Sequence, residues 1–125
     1  MAIQTEEWLA QPDQAVRDKL IEVAQAGQTI TYSEVARIAE IDTANRHFAV
    51  AVCRVVERID RIEHEAHRPL FCPLVVLKKS RKPGTGFYDL ARELGLLVGD
   101  DDEAVWKREL ARTHAYYRTA SDSRR

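Results

Sequence analysis

The sequence lacks most of the features that would assign it to a specialised class of protein. Two cysteines, Cys53 and Cys72, are too few for a disulfide scaffold or for a cysteine-based zinc site. No stretch approaches the roughly 18–20 apolar residues that span a bilayer. Residues 1–13 have neither the basic start nor the apolar run of a signal peptide. These absences predict one domain over residues 1–125, cytoplasmic and without a membrane partner.

Candidate metal and catalytic motifs are equally scarce. His64 and His67 stand three residues apart, whereas the HExxH zinc motif needs two histidines four apart on one helix face. The acidic run at residues 100–103 lacks the alternating ligands of a calcium loop. We therefore expect no metal, no cofactor and no catalytic residue, and the chain is not predicted to be an enzyme.

The charge is small overall but unevenly distributed. The 125 residues carry a formal net charge of −1, so the whole molecule does not attract polyanions. Residues 28–92, however, hold 11 Lys/Arg against 8 Asp/Glu, a local charge of +3. Residues 1–27 hold 2 against 5, and residues 93–125 hold 6 against 7. Positive charge is therefore concentrated in the middle of the chain.

Apolar periodicity predicts a mainly α fold with a small β element. Thr31 and Glu34 have the spacing of a capping box at the start of a short helix. The β-branched run at residues 70–77 predicts a buried strand, and the basic stretch that follows it predicts a turn. The predicted helices cover residues 12–26, 33–39, about 43–68, 87–97 and 103–117. The chain is thus expected to consist of an N-terminal helical segment (1–27), a core (28–92), a C-terminal helix (93–118) and a flexible tail (119–125).

Two consecutive helices followed by a strand and a turn are the order of a helix-turn-helix with a wing. Residues 30–39 (ITYSEVARIA), followed by 44–46 (ANR), resemble the C-terminal DNA-binding domain of the O6-alkylguanine-DNA alkyltransferases and alkyltransferase-like proteins. Residues 72–76 (CPLVV) are similar to the family's Cys-His-Arg-Val-Val, and residues 84–88 (GTGFY) to its glycine-rich turn. The resemblance covers residues 28–92, about half of the chain.

This resemblance implies a winged-helix-like core with extra N- and C-terminal helices. It also implies a role for Arg46, whose spacing from Tyr32 matches a family arginine that enters the base stack from the minor groove. Pro73 stands where the family has its proton-relaying histidine, and Leu74 where it has arginine. Because a thiol without a base stays protonated near neutral pH, the resemblance does not imply alkyl transfer by Cys72.

The prediction is therefore a non-catalytic nucleic-acid-binding protein, with DNA as the favoured partner. The helix-turn-helix would contact a groove, and the basic loop would hold phosphates, giving position more than sequence readout. The predicted contact residues are Tyr32, Arg46, Arg54, Lys78, Lys79, Arg81 and Lys82. Plainer interpretations stay open: Tyr32 as a packing residue, Arg46 as a partner of Asp42 or Glu40, and the loop as a solubilising segment.

Two alternative functions remain. The near-neutral total charge and an aromatic C-terminal helix are typical of a protein–protein interaction module or a small subunit of a larger complex. In that hypothesis Trp106, Tyr116 and Tyr117 would form a homodimer or partner surface. The second alternative is a DNA alkyl-damage repair protein that depends on Cys72, against the simpler interpretation of this cysteine as a core residue.

Overall fold

The computed structural model describes residues 11–96 and 102–123, with side chains described for residues 12–96 and 102–118. This part of the chain contains five α-helices, one 3-10 helix and two short strands. They are α1 (Gln11–Gln25), β1 (Ile30–Thr31), α2 (Tyr32–Ile38), α3 (Phe48–Glu65), a 3-10 helix (Cys72–Leu74), β2 (Val75–Val76), α4 (Thr85–Glu93) and α5 (Asp102–Ser123). The predicted mainly helical fold with a small β element is confirmed. Some of the predictions concern residues that lie outside the described part of the chain: 1–10, 97–101 and 124–125.

The two strands form a parallel pair in the centre of the fold. Ile30 pairs with Val75, and Thr31 pairs with Val76. All four residues are buried. The parallel register places the start of α2 at the end of the pair where the chain leaves β2 for the basic loop, and the 3-10 helix at the opposite end. Among the described residues the sheet contains no antiparallel hairpin, so the loop after β2 is not the tip of a paired β-ribbon.

Several helix ends follow local rules that the sequence shows. Gly27 ends α1 at a φ of +69°, the left-handed conformation that favours glycine. The predicted capping box of α2 is present: the Thr31 hydroxyl accepts from the Glu34 amide at 3.3 Å, and the Glu34 carboxylate accepts from the Thr31 amide at 3.3 Å. These caps satisfy amide and carbonyl groups that would otherwise lack partners.

The third helix is shorter than predicted, beginning at Phe48 and ending at Glu65. Its start is delayed because the side chains of Asp42 and Asn45 accept from the amides of Ala44 at 2.9 Å and His47 at 2.8 Å, which stabilises turns in place of a helical start. Its end comes early because His67 adopts a φ of +61°. The predicted helix over residues 43–68 was therefore wrong by several residues at the N-terminal end.

The strand and the last two helices also differ in extent from the predictions. Only Val75–Val76 of the predicted strand pairs, because Pro73 lies in the preceding 3-10 helix and has no amide to donate to a ladder. The fourth helix spans Thr85–Glu93, and Gly95, at a φ of +75°, follows its end. The last helix continues to Ser123, through most of the segment expected to be a flexible tail.

The C-terminal helix is an integral part of the core. The Trp106 side chain donates to the Pro73 carbonyl at 2.9 Å, and the Thr113 hydroxyl donates to the Leu70 carbonyl at 2.7 Å. The ring of Tyr117 stacks on that of Phe71, with centroids 5.2 Å apart. α5 therefore packs against residues 70–73, the segment between α3 and β2.

A buried ionic cluster joins α1, α3 and α5. Glu63 is fully buried and accepts hydrogen bonds from Arg17, Arg68 and the Tyr117 hydroxyl. Burial alone would raise the pKa of Glu63, but the two guanidinium groups outweigh this effect and the pKa is lowered.

In the part of the chain that the structure describes, no helix is both long and apolar enough to cross a membrane.

Candidate nucleic-acid interface and the adjoining pocket

The basic loop that follows β2, residues 78–82, is a closed turn. The Leu77 amide donates to the Lys82 carbonyl at 2.9 Å, and the Arg81 amide donates back to the Leu77 carbonyl at 2.9 Å. The Ser80 hydroxyl accepts from the Lys82 amide at 3.3 Å. Because both ends of the turn are joined, its side chains are presented on a short, defined protrusion.

The four cations of this loop are exposed, but they are not equivalent. Lys82 Nζ lies 2.8 Å from Glu103 Oε1, and this hydrogen bond raises the pKa of Lys82. Lys78, Lys79 and Arg81 form no ion pair with any described residue. Three of the four cations are therefore available for an anionic partner.

On the helix-turn-helix side, Arg46 lies in the connection between α2 and α3, two residues before α3 begins. It is exposed, and its Nε lies 3.4 Å from His47 Nε2. Within the described residues it pairs with neither Asp42 nor Glu40, the partners considered from the sequence. Its guanidinium therefore donates to the His47 ring and forms no ion pair with a described residue.

Arg54 lies on the second turn of α3 and is also exposed. It differs from two later arginines of this helix, since Arg58 pairs with Asp13 and Arg61 pairs with Glu93. Arg54 forms no ion pair with a described residue. The first half of α3 thus presents a cation without an ion pair, whereas Arg58 and Arg61 in the second half form ion pairs with α1 and α4.

Tyr32 occupies a buried position at the entrance of α2, with 8% of its surface exposed. Its hydroxyl oxygen accepts from the Gly84 amide at 3.2 Å and lies 3.9 Å from Cys53 Sγ. A Cβ at Gly84 would come within 2.8 Å of this oxygen, so the close approach requires glycine. Tyr32 fastens the end of the basic loop to α2, which agrees with the packing role considered from the sequence.

A pocket of about 160 Å³ lies between α3, β2 and α4. Tyr32, Cys72 and Gly86 all line it, which brings the three segments of the family resemblance to one place. Its lining also includes Arg54 of α3 and Val75 of β2. Val75 precedes the basic loop and Gly86 follows it, so the segment that contains the loop begins and ends at the pocket wall.

Cys72 lies next to a fully buried carboxylate. The two oxygens of Asp60 accept from the amides of Phe71 at 2.6 Å and Cys72 at 2.9 Å. Burial raises the pKa of Asp60 to about 7. Burial, and then the charge of Asp60, raises the pKa of the Cys72 thiol well above its usual value. The thiol is therefore protonated at neutral pH, and a protonated thiol is a poor nucleophile.

Sequence reasoning missed Asp60 and Glu63 as organising residues. Both fall on the stripe that carries Val52, Val56 and Ile59, which is the buried face of α3. Two acidic residues within an apolar stripe are a recognisable signal, because a buried carboxylate requires hydrogen-bond donors. The sequence did not show which donors these would be, since Phe71, Arg17 and Tyr117 come from other elements.

The three aromatic residues expected to form a partner surface do not share one face. Trp106 and Tyr117 are buried, at 8% and 5% exposure, and both hydrogen-bond within the chain. Tyr116 is 42% exposed and packs edge-on against Tyr117. Of the three, only Tyr116 is placed to contact another molecule.

Comparisons with known proteins do not add to this geometry. No family model, no curated protein and no solved structure matches the chain.

Proposed function

We propose that this chain is a non-catalytic nucleic-acid-binding protein, with DNA as the favoured partner. Its interface consists of the start of α3 and the basic loop. One observation carries the proposal: Arg54 of α3 lines the same pocket as Val75 and Gly86, which lie before and after the segment that contains the basic loop. Arg54 and the basic loop, whose cations Lys78, Lys79 and Arg81 form no ion pair with a described residue, therefore belong to elements that meet at this pocket.

The family resemblance supports the same interface. Tyr32, Cys72 and Gly86 belong to three separate stretches of sequence that resemble the alkyltransferase DNA-binding domain, and all three line one pocket. In this winged-helix-like proposal α2 and α3 are the helix-turn-helix, and the closed turn at residues 78–82 takes the place of a wing. Lys78, Lys79 and Arg81 contact phosphates, which fixes the position of the protein on the duplex.

The salt dependence of binding tests the role of the loop. Fluorescence anisotropy with a labelled duplex, measured over a series of salt concentrations, gives the number of phosphate contacts from the slope of log K against log salt. The variant K78A/K79A/R81A removes the three loop cations that lack a described ion pair and leaves the Lys82–Glu103 pair intact. If all three contact phosphates, the slope falls by roughly 2–3, because each contact contributes about 0.9.

A control with the same charge change separates local contacts from net charge. Lys19 lies on α1, and Arg112 and Arg118 lie on α5; their replacement by alanine also removes three positive charges. The control variant should keep a slope close to that of the parent. Equal slopes for the parent and the loop variant, or equal losses in the two variants, would exclude the proposed interface.

A second candidate, alkyl-damage repair through Cys72, is favoured by the presence of this thiol in the pocket. Against it stand the raised pKa of the thiol and proline at residue 73. Intact-protein mass spectrometry after incubation with DNA containing O6-methylguanine decides the matter. A mass gain of one methyl group that is lost in Cys72→Ser would establish repair, and an unmodified parent protein would leave non-catalytic binding.

A further inference from the structure

The pocket between α3, β2 and α4 has a neutral, mostly apolar interior. Val52, Val56, Val75, Phe87 and Leu90 line it, and all five are buried. Its charged lining residues are exposed instead: Arg54, Glu57 and Asp89. A molecule that enters this pocket therefore leaves water for hydrocarbon walls, and a net charge on it would not be compensated inside.

Three groups inside the pocket carry polar atoms, and all three stay uncharged at neutral pH. Burial raises the pKa of the Tyr32 hydroxyl and of the Cys53 and Cys72 thiols. The Tyr32 oxygen accepts from the Gly84 amide. Its own hydrogen is donated to no oxygen or nitrogen of a described residue, and its contact with Cys53 Sγ spans 3.9 Å. A phenol in this position offers one hydrogen-bond donor to a guest.

The size of the pocket restricts the guest further. A volume of about 160 Å³ is close to that of an apolar cavity of roughly 150 Å³ that takes up benzene in another protein. The part of a guest that is buried in it is therefore about the size of one small ring. The volume, the neutral walls and the single donor together describe one small ring with one hydrogen-bond acceptor.

We propose that this pocket is a binding site for a small, uncharged, single-ring molecule that accepts a hydrogen bond from Tyr32. The apolar walls hold the ring, and the hydroxyl orients the acceptor. The proposal goes beyond nucleic-acid binding and does not depend on it, because the site is formed by the folded chain alone.

Acetophenone is a suitable probe, since it has one ring and one carbonyl acceptor. Ethylbenzene has a similar shape without the acceptor, and benzoate has a similar shape with a negative charge. Titrations followed by amide chemical shifts should give a dissociation constant of roughly 0.1–1 mM for acetophenone. Ethylbenzene should bind about 5-fold more weakly, because it lacks one hydrogen bond. Benzoate should bind at least about 10-fold more weakly than acetophenone, because its carboxylate would either leave water for apolar walls or lie beside Glu57 and Asp89 as well as Arg54.

Two variants test the site itself. Tyr32→Phe should remove the advantage of acetophenone over ethylbenzene while leaving ethylbenzene affinity unchanged, which separates loss of the donor from loss of the pocket. Cys53→Met should weaken both ligands, because Cys53 lines the pocket and methionine fills part of it. Its amide spectrum and circular dichroism report whether the fold is kept.

Intermolecular NOEs provide a measurement that needs no variant. Acetophenone ring protons should show NOEs to the methyl groups of Val52, Val56, Val75 and Leu90. The proposal is overturned if acetophenone does not bind at 10 mM (about ten times the weakest expected constant), if its NOEs lie elsewhere, or if benzoate binds as tightly. Since no nucleic acid is present, these outcomes are separate from those of the anisotropy experiment.

Discussion

Replacing Glu63 by alanine should destabilise the fold more than most single substitutions in this chain. Its carboxylate is fully buried and accepts from Arg68 Nε at 2.8 Å, Arg17 Nε at 3.1 Å and the Tyr117 hydroxyl at 3.0 Å. Alanine removes the anion that the two guanidinium groups share. Removing one partner of a buried ion pair costs about 3–5 kcal/mol, because the remaining charge is left in a poorly solvated site.

The exposure of the two arginines sets the expected value within that range. The side chains of Arg17 and Arg68 are 11% and 24% exposed, so water compensates part of the loss. We therefore expect about 3–4 kcal/mol, which is a large part of the roughly 5–15 kcal/mol that stabilises a domain of this size. Urea unfolding followed by circular dichroism measures this difference from the shift in midpoint at constant slope.

Glu93→Ala is the matched control, because it also removes one carboxylate from an ion pair with an arginine. The Glu93–Arg61 pair is exposed, at 56% and 43% for the two side chains, and such pairs contribute less than about 1 kcal/mol. Similar losses for Glu63→Ala and Glu93→Ala would refute the argument from burial. The pH dependence gives a second check: since the pKa of Glu63 is lowered on folding, its stabilisation is present above the unfolded pKa and is lost as pH falls.

Three shorter predictions follow from other parts of the structure. The chemical shift of the Asp60 side-chain carboxyl carbon, measured by NMR, should titrate near pH 7. Folded Asp60 keeps its proton to higher pH than unfolded Asp60, so its contribution to the free energy of unfolding falls by about 4 kcal/mol at most from pH 4 to 7. A titration midpoint below pH 5 would contradict this. Thr31→Val keeps the side-chain volume but removes the cap of α2, which should cost about 1–2 kcal/mol in urea unfolding. Arg46→Ala and Arg54→Ala should each weaken duplex binding, with a slope change of about 1 for each arginine that contacts a phosphate; two unchanged slopes would move the interface elsewhere.

Local sequence patterns predicted the parts of the fold that depend on neighbouring residues. The capping box at Thr31 and the glycine that ends α1 are decided within four residues, and both are present. The end of α2 was predicted to within one residue, but the end of α3 was not, because His67 adopts a left-handed conformation without being glycine. Glu40, after α2, and His67, after α3, both have a positive φ. The Ala36 carbonyl accepts from the Ile41 amide, and the Glu63 carbonyl accepts from the Arg68 amide.

The candidate site depends on contacts that no local pattern contains. The parallel register of Ile30 with Val75 brings the start of α2 to the point where the chain leaves β2, and Tyr32 and Cys72 line one pocket. The sequence suggested both segments separately, through their resemblance to one family, but not the pocket between them. Asp60 was missed for the same reason, since its value to the fold lies in two amides that are 11 and 12 residues further along the chain.

Net charge alone was a weak guide to the interface, because the structure uses many charges internally. In residues 28–92 the carboxylates of Asp60 and Glu63 are buried, and Arg58, Arg61, Arg68, Lys82 and Arg92 take part in ion pairs. What remains without an ion pair among the described residues is a smaller set of cations: Arg37, Arg46, Arg54, Lys78, Lys79 and Arg81. Because screening confines exposed charges to a range of about 8–10 Å in physiological salt, a polyanion responds to this local set and not to the total of −1. The net charge of −1 therefore does not argue against the proposed interface, which uses Arg46, Arg54 and the loop cations.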